Sequence, residues 1–144
     1  MTSFLFPDIN VWMALTHGRH VHHTVARDWF NELDADARLC FCRFTQLGFL
    51  RLLTAEAVMG DEVLHQPEAW AIYDSWMQDA RVDSLEEPPG LDRRFRARTR
   101  LKQAAPKTWA DAYLAAFAES AQLTLVTFDR AFRGKIKPLV LLEE

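Results

Sequence analysis

Trp109-Ala110-Asp111-Ala112-Tyr113-Leu114-Ala115-Ala116-Phe117-Ala118, followed after a short break by Leu123-Thr124-Leu125-Val126-Thr127-Phe128-Asp129, is a helix handing over to a strand. The small residues Ala112, Ala115 and Ala116 let that helix lie close on a sheet, and Leu123 to Val126 is a short, continuous apolar run of the kind a buried strand needs. Working outward, the alternation repeats. Phe4 to Phe6 reads as a strand and Ile9 to Leu15 as a short helix. His22 to Leu33 is an amphipathic helix, Leu39 to Cys42 a strand and Phe44 to Leu53 a helix. Pro67 is placed to open a helix through Met77, Arg81 to Leu85 can form a further strand, and Leu139 to Leu142 another. Strands separated by helices at this spacing make right-handed βαβ units. The expected fold class is therefore α/β, with a mostly parallel central sheet of about five strands.

Three aspartates stand at the polar ends of these segments: Asp8 after Phe4-Leu5-Phe6, Asp111 at the opening of the alanine-rich helix, and Asp129 after Thr127. Each has an ordinary structural role open to it. Asp8 can cap a helix at Ile9, Asp129 can cap Arg130 to Arg133, and Thr108 with Asp111 fits an acidic variant of the capping box. Taken together they point elsewhere. If their strands are parallel neighbours, all three carboxylates meet at the carboxyl edge of one sheet, where open α/β folds place their sites. Gathered carboxylates repel one another unless a hard cation lies between them, which predicts Mg²⁺ or Mn²⁺. Such a centre supports phosphodiester hydrolysis by water, with no protein nucleophile. The chain has no Gly-x-Ser-x-Gly elbow, no Walker loop and no cysteine in an activating context.

The 144 residues suit one domain spanning 1–144, and 49% hydrophobic content with ten Phe and five Trp argues for an ordered core. No run approaches a membrane span, and the start of the chain lacks a basic leader, so a cytoplasmic protein is expected. Cys40 and Cys42 share a strand face and are too close to close a useful disulfide loop, so they read as buried thiols. The net charge of −3 disfavours nucleic acid as a partner only on average. Between Asp92 and Gln103 lie six cations and no acid; on a helix, Arg94, Arg98 and Lys102 would form one row. That row is either a solvated face or a surface that tracks phosphates. Arg43, Arg51, Arg130 and Arg133 flank the acidic positions in sequence, as ion-pair partners or as phosphate contacts. His17, His20, His22 and His23 lack a clean ligand spacing; His22 is expected to pack on a helix face and the others to be exposed. Trp29, Trp70 and Trp76 are expected in the core, while Trp12 and Trp109 lie near acidic junctions, where either packing or base stacking is open to them.

Four segments, Phe6-Pro7-Asp8-Ile9-Asn10-Val11-Trp12, Thr45 to Thr54, Trp109 to Ala115, and Leu125 to Arg130, resemble in order and spacing the PIN-domain ribonucleases of the VapC toxin type. The resemblance covers nearly the whole chain. It implies an α/β/α sandwich and a Mg²⁺- or Mn²⁺-dependent endoribonuclease, the toxin of a type II toxin–antitoxin pair. Its implied partners are RNA, a cognate antitoxin and a second copy of the chain. It also implies that Asp8, Asp111 and Asp129 bind metal, with Asn10 and Thr127 at supporting polar positions.

One departure stands out. The family commonly carries a further glutamate where this chain has Gly48, and no acid occurs between Asp36 and Glu56. Thr45 and Arg51 lie one turn either side of Gly48 on the same helix face. Thr45 is therefore a candidate to hold water, and Arg51 joins Arg94, Arg98 and Lys102 as a candidate RNA contact. The alternative is a catalytically impaired PIN-like module that binds RNA or protein without cutting. A phosphatase of the haloacid dehalogenase type fits less well, because Asn10 stands where its second aspartate is wanted.

Overall fold

In the computed structural model, which describes residues 3–143, five strands form one wholly parallel sheet in the order β3-β2-β1-β4-β5. The strands are β1 (Phe4–Pro7), β2 (Arg38–Cys42), β3 (Val82–Leu85), β4 (Thr124–Thr127) and β5 (Leu139–Leu141). Helices α1 (Ile9–Thr16) and α2 (His23–Asn31) follow β1. Then α3 (Arg43–Leu53), α4 (Glu56–Met59) and α5 (Gln66–Met77) follow β2, and α6 (Leu91–Ala97) and α7 (Trp109–Ser120) follow β3. Met1 and Thr2, at the head of the segment read as leaderless, lie outside the described residues. Among those described, no helix is long and apolar enough to cross a membrane.

Period-two alternation along the strands sorts side chains between two layers. Leu5, Leu39, Phe41 and Val126 face one core with Trp12, Phe49 and Tyr73 from α1, α3 and α5. Phe6, Cys40, Cys42 and Leu125 face the other, against Leu114 to Ala118 of α7 and Leu91 of α6. Trp12 is wholly buried, its ring stacked 4.0 Å from Phe41, so at this position packing prevails over base stacking. Ala115 and Ala116 bring α7 down onto the sheet, as their size suggested. Both cysteines are buried and free.

Four local expectations are corrected. The basic helix ends at Ala97 rather than running to Lys102. Asp92 pairs with Arg96 while Arg98 turns away to Glu119, and the Thr99 hydroxyl donates to the Phe95 carbonyl at 2.8 Å, closing the last turn. His17, expected at the surface, is buried and faces Glu62 at 3.2 Å. His22 precedes α2 rather than lying on it, and stacks on Phe128 at 4.4 Å. Among the tryptophans expected in the core, Trp70 is exposed.

Candidate active site

Strand order reverses between β1 and β4, and a parallel sheet offers a crevice at the carboxyl end of that junction. Asp8 follows the last residue of β1, and its amide donates to the Val126 carbonyl at 2.8 Å, tying it to β4. Asp129 lies two residues beyond β4. Helix α7 returns antiparallel to β4, so its first turn, with Asp111, stands over the same edge.

Thr127, the last residue of β4, organises the junction. Its buried hydroxyl donates to Asp8 Oδ2 at 2.9 Å and accepts the Asp129 amide at 3.0 Å. One oxygen of Asp8 is thereby fixed in direction. The Asp8 side chain closes no capping hydrogen bond, although the neighbouring amides of Ile9 and Asn10 favour its charge. Asp111 sits in the first turn of α7, whose N-cap Thr108 makes no side-chain cap, so no capping box forms. Asp129 alone does the structural work open to all three, accepting the Ala131 amide at 2.8 Å. Two carboxylates are thus left without the caps that would explain them.

Burial pushes the Asp8 carboxyl above the ordinary range, and the charge of Asp111 adds to that. Asp111 is likewise pushed up by burial and by Asp129, with Lys135 pulling the other way. Asp111 is therefore the electrostatic link between the other two. The gathering is looser than expected: among the described residues, no three His, Cys, Asp or Glu side chains stand close enough to enclose one ion. The donor set is nonetheless carboxylate oxygen without imidazole or thiol, which suits a hard divalent cation, and Asp8 and Asp111 each bear a repulsion that such a cation would relieve.

The other site candidates separate. Asn10 is exposed in the first turn of α1. Thr45 is wholly buried, its hydroxyl accepting the Cys42 amide at 2.9 Å and donating to the Cys42 carbonyl at 3.1 Å, so it serves the start of α3 rather than a water at the acids. Arg51 lies at the far end of α3 beside Trp70 and Gln66, away from the carboxyl edge. Arg130 and Arg133 both approach Glu143, and Arg43 donates to Gln46. With α6 ending early, Arg94, Arg98 and Lys102 form no row. Arg98 folds back to Glu119 at 3.1 Å and to the Lys135 carbonyl at 2.9 Å. A cavity of about 220 Å³ opens beside Asp111, between α7 and the Ala131–Lys135 segment, with Arg98 and Lys135 in its wall. Lys135 was missed by sequence reasoning, because an isolated lysine in a glycine-containing loop carries no motif.

The PIN domain family model matches residues 5–136, from the first strand to beyond Asp129. The chain belongs to the PIN-domain family. It is 43% identical over 132 residues to Ribonuclease VapC41 of Mycobacterium tuberculosis, covering 89% of this chain and 90% of that one. Among solved structures, VapBC2 from Rickettsia felis, bound to a promoter DNA fragment, superposes with a TM-score of 0.66 at 12% identity, over 98% of this chain and 97% of that one. VapC20 of M. tuberculosis, described as a sarcin-ricin loop cleaving toxin, gives 0.65 at 14% identity over 91% and 94%. At such identities these structures speak to the fold, and they agree on the α/β/α PIN sandwich seen here.

Proposed function

We propose that this PIN-domain chain is an endoribonuclease that hydrolyses RNA phosphodiester bonds in the cytoplasm, the toxin of a type II toxin–antitoxin pair, dependent on Mg²⁺ or Mn²⁺. The observation that carries the reading is the pair of uncapped carboxylates at the switch point of the sheet, Asp8 raised by burial and by the charge of Asp111, and Asp111 by burial and by Asp129. The 43% identity to a ribonuclease gives it a substrate class, and a toxin–antitoxin complex from Klebsiella pneumoniae, similar in fold, supports a protein partner of that kind.

Asp8, Asp111 and Asp129 would hold the metal, with Thr127 fixing the direction of Asp8. A bound divalent ion would supply positive charge that acidifies water and offsets charge growing on the scissile phosphate. The chain's own contribution is placement. Thr127 couples Asp8 to the loop of Asp129 through one hydroxyl, and the Ala131 amide holds the Asp129 carboxylate. Lys135 and Arg98 provide positive charge on the side of Asp111 where a phosphate chain would approach.

The test is cleavage of a cellular RNA pool by the purified chain with Mg²⁺, with Mn²⁺ and with chelator, alongside Asp8→Asn. Discrete cuts requiring both metal and Asp8 are expected; undiminished cutting by Asp8→Asn would overturn the assignment.

A further inference from the structure

The cavity beside Asp111 has a floor and a rim of opposite character. Ala112 and Ala115 of α7, with Phe132, form an apolar floor, and the cations Arg98 and Lys135 stand with Thr108 around it. At about 220 Å³ it lies below the volume of a drug-sized pocket and well above that of one water. One flat ring fits that description, and a helix or a duplex does not. Lys135 forms no ion pair among the described residues, yet its charge reaches Asp111. Arg98 spends two N–H groups on Glu119 and the Lys135 carbonyl, out of the five a guanidinium carries.

We propose that this cavity seats one unpaired nucleobase of the RNA next to the bond that is cut, and that it favours a base whose Watson–Crick edge presents a carbonyl, in place of an amino group, beside a ring N–H: guanine or uracil. The assignment rests on the ribonuclease reading and goes further, to the base that is read. The rim chemistry carries the preference. Arginine only donates hydrogen bonds, so the carbonyl oxygen on the Watson–Crick edge of guanine or uracil finds donors in the N–H groups Arg98 has left, whereas the amino group at the same place in adenine or cytosine sets donor against donor. The Thr108 hydroxyl has committed its proton to the Ala105 carbonyl at 2.9 Å, so toward a ligand it accepts, which suits the ring N–H beside that carbonyl. Lys135 is exposed, placed to meet the phosphate of the same nucleotide. A base extruded here would leave its backbone at Asp111, which is where the scissile bond must be.

The experiment uses the full chain and uncleavable 2′-O-methyl pentanucleotides that differ only in the central base. Guanine- or uracil-centred oligonucleotides are expected to bind about tenfold more tightly than adenine- or cytosine-centred ones, within what one stacked and paired base contributes. Ala131→Phe, at an exposed position on the cavity wall, should erase that difference by filling the space. Lys135→Gln should weaken all four alike, several-fold, and lower the salt slope by about one. Thermal melting of both variants confirms that they are folded. Equal binding of the four oligonucleotides, or a preference that survives Ala131→Phe, overturns the assignment. The RNA-pool assay separates the two failures: a cut pool without base preference sinks the subsite alone, while a pool left uncut under both metals sinks the ribonuclease reading and this subsite with it.

Discussion

Gly48 lies buried inside α3, where a glycine costs about 0.5–1 kcal/mol relative to alanine. A Cβ at this position would run into Cδ1 of Ile9 and stand 3.1 Å from its Cγ1. Ile9 thus occupies the space into which a side chain at 48 would have to project. It is also the residue after Asp8, and its amide favours the charge of that acid. Gly48→Glu alone should therefore lose about 1–3 kcal/mol to overpacking, offset by roughly 1 kcal/mol of helix propensity. A net loss of about 0–2 kcal/mol is expected. Ile9→Ala alone should cost about 1–2 kcal/mol, less than for a fully buried isoleucine because Ile9 is partly exposed. In the double variant the collision disappears, giving a favourable coupling of about 1–3 kcal/mol. Urea midpoints of the four proteins close the cycle, and Mn²⁺ titration reads whether a fourth carboxylate joins the site. Mn²⁺ affinity should rise in the double variant and less, or not at all, in Gly48→Glu. A coupling near zero would refute the reasoning, because it would mean that Ile9 swings aside at no cost and does not guard the position.

Asp8→Asn should abolish cleavage yet stabilise the metal-free protein near neutral pH by about 1 kcal/mol, roughly 3 °C in Tm. The sign follows from the raised pKa: the contribution of Asp8 is fully present below its unfolded value near 3.8 and is lost as pH rises through the higher folded value. Urea midpoints measured in chelator should fall over that range in the native chain and fall less in Asp8→Asn. Because the charge of Asp111 raises Asp8, Asp111→Asn should lower the Asp8 midpoint seen by carboxyl-carbon NMR; an unmoved midpoint would break the link between the two acids. Thr127→Val should lose about 1.5–3 kcal/mol, the worth of a hydrogen bond to a charged group, together with metal affinity. Thr45→Val should lose stability alone, and a loss of Mn²⁺ affinity there would return Thr45 to the site.

The sheet was legible because its strands are short apolar runs, and two-sided burial leaves little else for such runs to be; the register of Leu5 on Thr124 and of Leu39 on Val82 then follows from packing. The edge that Asp8 and Asp129 reach was legible for a related reason: in a parallel sheet, chain position along a strand already states which edge a residue reaches. Where sequence reasoning failed, the deciding contact was long-range. Nothing near Arg98 in sequence announces Glu119 or the Lys135 carbonyl, and these draw it out of the expected basic row. Thr45 and Thr127 look alike as strand-end or helix-start threonines. They diverge because the hydroxyl of Thr45 is taken up by Cys42, three residues before it, while that of Thr127 reaches across 119 residues to Asp8.

The same contrast bears on the missing glutamate. A glycine at 48 taken alone reads as a lost ligand, and so as a damaged enzyme. Paired with Ile9 it reads differently, since the vacated volume is filled by a side chain whose amide supports Asp8. Loss of an acid by drift would leave a cavity or a stray polar group beside the remaining carboxylates, whereas here the partly exposed apolar side chain of Ile9 stands in that space. A site rebuilt around three acids needs that volume closed, because water there would screen Asp8 and Asp111 from the charge that is to hold them together. If Asp8, Asp111 and Asp129 hold the metal as proposed, the pairing of Ile9 with Gly48 favours a working three-carboxylate centre over a crippled four-carboxylate one. On that reasoning, Ile9→Ala by itself should weaken Mn²⁺ binding although it touches no ligand.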